Sequence, residues 1–412
     1  MLKTIKFTEF ILLIVVFSVT PAIFLFFFPD RIVGISLIQL VLLFLVAFIF
    51  LSERKDFFLS FFKQNHRAIN IFYLLNLITI ARGFWIAKTS DDLKILMYSG
   101  MLDMVLFPFI IIMSSKREYW VFFFKFYWKY GLLLALVLLI PINRHLNIYD
   151  FAHYSAPIYV FILLIPFVQK KYKILIIVIS ILSFFSDLEV RSNLINILVS
   201  YLIMFSFYFP RLSLAKWWIA SLRFIFIFSP PLFLVLALTT SFNVFKISSY
   251  LNLSSEQKKI AVDSRTGIYT DVLASLDKND ASLYGLGAYG RTETFLTELE
   301  NRNFDEKYKG GRPGTESGML NFYQYSGLIG VIIYYSLFVL GSYKLIYQSK
   351  NWFCIMLGCW LAFKGLFSFI EDRIVFNPNI LFLFIVIGLA FNINLKSMSN
   401  IELYQKIKFI FK

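Results

Sequence analysis

The sequence predicts an all-α integral membrane protein with about 12 transmembrane helices and one large external loop between helices 9 and 10. Three observations support this fold class. Of the 412 residues, 59% are hydrophobic and 16% are charged, whereas soluble domains are about half apolar and about a quarter charged. Apolar runs of about twenty residues recur, and each is long enough to cross a hydrocarbon core of roughly 30 Å. One long polar stretch, from residue 241 to 316, interrupts them late in the chain.

The apolar runs define the predicted spans. They lie near residues 8–28, 32–51, 68–87, 95–113, 119–141, 151–168, 172–186, 188–209, 216–240, 318–343, 351–370 and 376–395. Their length favours helices over a membrane barrel, whose strands would be about ten residues of alternating polarity. The chain therefore divides into residues 1–240 with helices 1–9, a loop at 241–317, and residues 318–412 with helices 10–12 and a cytoplasmic tail.

The distribution of positive charge predicts the orientation. Lys and Arg concentrate in alternate segments between the spans: one set of segments holds nineteen of these residues and the other set holds five. The richer segments are expected in the cytoplasm. The five residues in the poorer segments are Arg31, Lys88, Lys94, Arg144 and Arg373. Both termini are therefore predicted to be cytoplasmic and the large loop external. Because this alternation accounts for the net charge of +15, the charge does not indicate nucleic acid as a partner.

Cysteine and histidine usage indicates no cofactor site. Cys354 and Cys359 lie in one predicted span, so they do not form a disulfide framework. His66, His145 and His153 are scattered along the chain. Neither a metal nor another cofactor is therefore expected.

Among the basic residues that fall inside predicted spans or near their ends, Arg82, Arg191 and Lys364 are of particular interest. A charge in hydrocarbon costs roughly 2.5–3.5 kcal/mol on insertion scales, so such a residue usually faces a cavity or a partner. Arg191 stands near the outer end of its span and is a functional candidate. Arg82 and Lys364 are expected to reach the interface, or to pair with Asp103 or Glu371 in a structural role.

Two arginines in the polar loop are candidate phosphate ligands. Helical spacing predicts an external helix from about residue 255 to 277, and Arg265 lies within it. Arg291 follows a glycine-rich segment. A guanidinium matches phosphate oxygens in a planar, bidentate geometry. The alternative is that each arginine forms a surface salt bridge with a neighbouring acid.

Glycines in and after the loop are expected to bring backbones close together. Gly285 and Gly287 permit tight turns and the close approach of a ligand. The segment lacks the Gly-Lys-Ser/Thr of a nucleotide phosphate-binding loop. Gly327 and Gly330, one helical turn apart, are expected to let a neighbouring helix pack closely.

Four features of the chain resemble the O-antigen polymerase and O-antigen ligase superfamily. They are Arg191 in a mid-chain span, residues 264–269 (SRTGIY), Gly285-Leu-Gly287, and residues 316–330, which end in GLIG. The last is the most specific, since the family places a His, or in polymerases often an acidic residue, before a helix ending in Gly-Leu-Ile-Gly. Glu316 stands at that position. Glu in place of His favours the polymerase over the ligase.

The resemblance implies a multi-pass glycosyltransferase of the bacterial cytoplasmic (inner) membrane. It would transfer a growing O-antigen or capsule glycan from undecaprenyl diphosphate to the non-reducing end of a new undecaprenyl-diphosphate-linked repeat unit. No metal or nucleotide sugar would be needed, and a chain-length regulator would be an additional partner. Two alternatives stay open: an O-antigen ligase acting on lipid A–core or protein, and a repeat-unit flippase, which is expected to lack one long external loop.

Glu316 is the predicted catalytic residue, because attack by a sugar hydroxyl needs a base within hydrogen-bond reach. A structural role as a helix N-cap or first-turn acid is the alternative. Arg191, Arg265 and Arg291 are predicted to bind the diphosphate, where negative charge develops as the lipid departs. Further substrate contacts are predicted at Arg82, Tyr269, Tyr289, Arg312 and Tyr323.

The predicted orientation is testable by cysteine labelling. An Asn279→Cys protein is expected to react with a membrane-impermeant maleimide in intact cells, or in spheroplasts if there is an outer membrane. A Lys406→Cys protein, with its cysteine in the predicted cytoplasmic tail, serves as the control and should react only after lysis. Labelling of residue 279 only after lysis would reverse the orientation.

Overall fold

The computed structural model describes residues 67–96, 101–115, 119–137, 154–186, 191–209, 211–238, 265–293, 311–312, 314–372 and 377–411. These residues are mostly helical and contain no β-strand. The helices are α1 (Arg67–Ile86), α2 (Ser90–Ile95), α3 (Met101–Ser114), α4 (Tyr119–Phe126), α5 (Leu132–Val137), α6 (Ile158–Ile162), α7 (Lys170–Ser186), α8 (Arg191–Phe205), α9 (Leu212–Leu238), α10 (Arg265–Lys278), α11 (Gly318–Tyr347), α12 (Trp352–Phe367), α13 (Pro378–Leu389), α14 (Ile393–Ser397) and α15 (Asn400–Ile410).

Three of these helices are long and apolar enough to cross a membrane. They are α1, α11 and the Leu212–Phe233 part of α9. Shorter apolar helices accompany them, among them α12 and α13. The helical, apolar character predicted from the sequence is thus confirmed for the described residues. The predicted spans at 8–28 and 32–51 lie outside those residues, and the number of twelve stays a prediction.

Burial is arranged as expected for a protein surrounded by lipid. The outer face of α7 carries large apolar side chains, including Ile181 and Phe185, which is 65% exposed. The interior holds polar groups, including Asn193, Asn196 and the fully buried Lys364. Because apolar side chains tolerate contact with hydrocarbon while charged groups turn toward protein partners, this pattern favours a membrane environment.

The predicted span 151–168 is not one continuous helix. In its described part, α6 contains only five residues, and a short 3₁₀ turn, Ile165–Phe167, follows it. Pro157 and Pro166 interrupt the regular pattern, since proline lacks an N–H and clashes with the preceding turn. Residues 158–164 are at most 3% exposed. Irregular backbone at membrane depth is tolerated where protein encloses it.

Helix α11 is also interrupted, although the sequence predicted one span over 318–343. Gly327 has φ 65° and ψ −161°, which is not helical. Essentially only glycine occupies this region of backbone space. The break divides α11 into a short first segment, residues 318–326, and a long apolar segment, residues 328–347. The short segment lies against the polar loop.

The break exchanges hydrogen bonds within the helix for bonds to the loop. In a continuous helix the N–H of Leu328 would bond to the carbonyl four residues earlier, and that of Ile329 likewise. The four bonds that replace them are Leu328 N to Ser282 O (3.0 Å), Ile329 N to Leu283 O (3.4 Å), Leu286 N to Gln324 O (2.8 Å) and Gly287 N to Tyr325 O (2.9 Å). The amides of Leu328 and Ile329 and the carbonyls of Gln324 and Tyr325 therefore each have a partner, as buried backbone requires.

Glycines permit this close approach. A Cβ at Gly327 would lie 2.3 Å from the backbone of Leu283, and a Cβ at Gly285 would lie 2.4 Å from Ser326 N. Gly287 meets α1 in the same way, because its Cβ would lie 2.6 Å from the backbone of that helix. The close approach predicted for a ligand is therefore made by the protein's own helices.

The role predicted for the Gly327 and Gly330 pair is wrong. Gly327 admits the backbone of the loop, not a neighbouring helix. A Cβ at Gly330 would meet Ser326 of the same helix, 2.3 Å from its Cβ. The reason is the break, which folds the two segments of α11 toward each other at this point.

Among the described residues, some segments predicted to be cytoplasmic contact one another. Lys350 N donates to Lys396 O over 2.8 Å, and Lys171 and Lys408 line one small cavity. The loop region contacts the end of α1 and the turn after α12. The alternating topology and the compartment that each segment faces stay predictions.

Substitution of Gly327 tests the break. Gly327→Ala should destabilise the protein by more than the roughly 1–3 kcal/mol of an unfavourable backbone region, because its Cβ also strikes Leu283. Gly267→Ala in α10 is the matched control, since nothing lies within 4 Å of a Cβ there. It should stabilise its helix by about 0.5–1 kcal/mol. Thermal melting in detergent measures both, and equal melting temperatures for Gly327→Ala and wild type would contradict the assignment.

Candidate functional site

An apolar cluster attaches helix α10 to the short segment of α11. Its buried members are Ile268, Val272, Leu276, Ala281 and Leu320. Leu286 and Tyr323 pack against it. Tyr323, a predicted substrate contact, therefore contributes packing here. The cluster holds α10 on the start of α11, next to the residues described below.

Glu316 stands between two anchored residues. On one side, Thr315 N donates to Asn321 Oδ1 over 2.6 Å, and Asn321 Nδ2 donates back to the Thr315 carbonyl over 3.1 Å. On the other side, Ser317 is the N-cap of α11, since its hydroxyl accepts from Leu320 N. The alternative role of Glu316 as N-cap is therefore wrong, because Ser317 performs it. Glu316 precedes the cap, and its side chain is 50% exposed.

The carboxylate of Glu316 faces an arginine. Arg312 Nη2 lies 3.5 Å from Glu316 Oε1, and the Arg312 side chain is 29% exposed. This N···O distance is long for an ion pair, so Arg312 orients the Glu316 carboxylate without forming a short hydrogen bond. The sequence predicted both residues for the site, and the structure brings them together.

Arg291 pairs with Asp92 in the first turn of α2. Its Nε lies 2.9 Å from Asp92 Oδ1. Asp92 also forms a capping box with Thr89, in which each side chain accepts from the other residue's backbone N–H. Burial alone would raise the pKa of Asp92, but hydrogen bonds from Thr89 and the charge of Arg291 outweigh it, so this pKa lies below its ordinary value. Asp92 was not predicted, although Thr-x-x-Asp before a helix is a recognisable capping signal.

Backbone pairing brings the two arginine segments together. Thr292 N donates to Arg312 O over 3.0 Å, and Arg312 N donates to Thr292 O over 2.8 Å. Gln324 Nε2 donates to Gly290 O over 2.6 Å and to Arg312 O over 3.0 Å. The short segment of α11 therefore holds the backbone segments that carry Arg291 and Arg312 against each other, and of the two arginines Arg312 contacts Glu316.

Two other predicted contacts support the loop. Tyr269 donates its hydroxyl to the Phe369 carbonyl, and Tyr289, at φ 56°, stacks on Tyr325 with ring centroids 5.3 Å apart. Arg82 Nη1 donates to the Tyr284 carbonyl over 2.6 Å. The partner of Arg82 is thus a backbone carbonyl and not the carboxylate that the sequence suggested; its predicted contact with substrate stays a prediction.

Arg191 and Arg265 are the first residues of α8 and α10. Their side chains lie outside the described part of the chain. Their predicted contact with diphosphate stays a prediction. Helix α8 reaches the site region through Asn196, whose amide oxygen accepts from Lys364 over 3.3 Å.

Sequence reasoning chose the wrong partner for Lys364. Its Nζ lies 2.6 Å from Asp372 Oδ2 and 2.8 Å from Oδ1, instead of pairing with Asp103 or Glu371. Asp372 in turn forms an isolated antiparallel bridge with Ser317. Glu371 and Asp372 are adjacent, and the sequence does not indicate which of the two carboxylates turns toward the interior.

The chemistry available at the site comes from one carboxylate and a group of arginines. No three His, Cys, Asp or Glu side chains within the described ranges lie together as metal ligands. No family model matches this chain, and no curated protein or solved structure matches it. Functional inference therefore depends on the residues themselves.

The anchoring role of Arg82 is testable by hydrogen exchange. Arg82→Met removes a charged donor from the Tyr284 carbonyl, which should cost about 1.5–3 kcal/mol. Exchange of the amides at Leu286, Gly287 and Ala288 should accelerate accordingly. Lys278→Met is the control, because its ion pair with Glu293 is exposed on both sides and contributes little. Unchanged exchange in Arg82→Met would show that Arg82 does not anchor the loop.

Proposed function

We propose that this protein is a polysaccharide polymerase of the bacterial inner membrane, with twelve spans, cytoplasmic termini and an external 241–317 loop. It transfers a growing O-antigen or capsule glycan from undecaprenyl diphosphate to the non-reducing end of a new lipid-linked repeat unit. The observation that carries the proposal is the contact between Glu316 and Arg312 where the polar loop meets an apolar helix, with Arg291 in the backbone segment that pairs with Arg312. A lipid-held diphosphate and a water-soluble sugar can meet only at such a junction.

The carboxylate supplies the base. The acceptor hydroxyl attacks the anomeric carbon of the donor and forms the new C–O bond, while its proton passes to the Glu316 carboxylate. Glu316 is suited to this step because it is half exposed and its backbone is anchored on both sides. A general base in this position contributes roughly 10²–10⁴ to the rate.

The arginines supply electrostatic stabilisation. The bond between the anomeric carbon and the diphosphate oxygen breaks, and its electron pair stays with undecaprenyl diphosphate. Arg312 lies at Glu316, and Arg291 lies in the backbone segment that pairs with Arg312; both cations are proposed to stabilise the growing negative charge. When Glu316 takes the proton, it loses its attraction for Arg312, whose guanidinium then turns to the departing diphosphate. Arg191 and Arg265 are proposed to complete this group.

The identity of residue 316 favours the polymerase over the ligase. Glu stands where the ligase pattern has His. The surface glycan of a deletion strain separates the two functions. A polymerase deletion should leave single repeat units on the surface and remove the ladder. Accumulation of full-length glycan on undecaprenyl diphosphate would instead indicate the ligase.

Replacement of the carboxylate tests the mechanism. Purified Glu316→Gln protein should elongate a lipid-linked repeat roughly 10²–10⁴ times more slowly than wild type. It should still fold, since Ser317 keeps the helix cap and residue 316 is half exposed. Glu293→Gln removes another exposed carboxylate of the same loop and should leave the rate unchanged. A wild-type rate in Glu316→Gln would place the base elsewhere.

A further inference from the structure

We propose that the buried ion pair between Lys364 and Asp372 positions Glu316 for catalysis without touching it. The inference rests on the polymerase function proposed above and deepens it. The pair fixes the turn after α12, and that turn holds the backbone of the residues that directly follow Glu316. Lys364 and Asp372 are therefore positioning residues.

The pair is enclosed, and neighbouring polar side chains contact both of its members. Lys364 is 0% exposed and its Nζ lies 2.6 Å and 2.8 Å from the two oxygens of Asp372. Asn379 Nδ2 donates to Asp372 Oδ1 over 3.1 Å, and Asn196 Oδ1 accepts from Lys364. A charged pair in the interior of a membrane protein is expensive, so its presence indicates a function beyond packing.

The pair holds Asp372 in an uncommon backbone conformation. Asp372 has φ 63°, a value that residues other than glycine adopt rarely. Such a conformation persists only when its surroundings determine it. The determinant here is the side chain, which is tied to Lys364 at the end of α12. The ion pair therefore sets the path of the chain through residues 368–372.

The turn binds the beginning of α11. Gly318 N donates to Glu371 O, and Met319 N donates to Ser368 O, both over 2.9 Å. Ser317 Oγ also donates to the Ser368 carbonyl over 2.9 Å. The first amides of a helix have no partner within it, so these bonds fix where α11 starts. Glu316 is one residue before this point, and a shift of the turn moves its carboxylate.

The competing explanation is that the pair only stabilises the bundle. Replacing a buried ion pair by neutral residues is often harmless, whereas removing one partner leaves a buried charge and is strongly destabilising. Single variants at these positions are therefore uninformative. Lys364→Met combined with Asp372→Asn removes both charges, and Asn tolerates positive φ. Arg223→Met is the matched control: Arg223 donates to Ser342 Oγ and the Val339 carbonyl, far along α11 from the turn.

Two measurements on purified full-length protein decide between the explanations. The first is hydrogen exchange over residues 317–322, which should be faster in the double variant and unchanged in Arg223→Met. The second is elongation of an undecaprenyl-diphosphate-linked repeat. The double variant should lose about 10²-fold in kcat, the effect of a displacement of roughly 1 Å, with little change in KM.

A double-mutant cycle that combines the Lys364→Met/Asp372→Asn variant with Glu316→Gln tests whether the pair acts on kcat through Glu316. If the pair acts through Glu316, adding the double variant to Glu316→Gln should reduce kcat no further. Unchanged exchange over 317–322, or a further 10²-fold loss in the Glu316→Gln background, would overturn the inference. If the wild-type protein elongates no repeat, the proposed function fails, and the exchange measurement still decides whether the pair holds the turn.

Discussion

The hydrogen bonds between the broken helix α11 and the loop segment 282–287 are the constraint on which the rest of the site depends. A helix interrupted inside a protein releases backbone N–H groups and carbonyls, and leaving buried groups of this kind without partners costs free energy. The loop supplies partners for the amides of Leu328 and Ile329 and for the carbonyls of Gln324 and Tyr325. The interruption is therefore stable only while the loop is docked, and the loop is ordered here because the interruption offers it bonds.

This mutual dependence explains why charged residues from distant parts of the sequence are held close together. Gln324, on the short segment of α11, bonds to the carbonyls of Gly290 and Arg312. Arg291 directly follows Gly290 in sequence and pairs with Asp92, and Arg312 pairs with Glu316. The electrostatic group therefore rests on backbone bonds within a rigid junction. Preorganised charges of this kind are what stabilisation of a leaving diphosphate requires.

The turn after α12 also holds the start of α11 through hydrogen bonds. The start of α11 takes its hydrogen bonds from carbonyls of residues 368–371, and the buried Lys364–Asp372 pair determines their path. The exposed carboxylate of Glu316 is thus linked to a charge pair inside the bundle. A proposed catalytic group at the membrane surface then derives its position from the interior, where water does not compete for hydrogen bonds.

The sequence by itself determined that the protein is helical and apolar, where α1, α9, α11 and α12 lie, and that Glu316 and Arg312 are candidates for one site. Composition, run length and residue chemistry are local properties, so they can be read without coordinates. Only the tertiary structure decided that Gly327 breaks its helix, that Arg291 pairs with Asp92, and that Lys364 turns to Asp372. Each depends on which distant group satisfies a buried polar atom, and no local pattern encodes that partner.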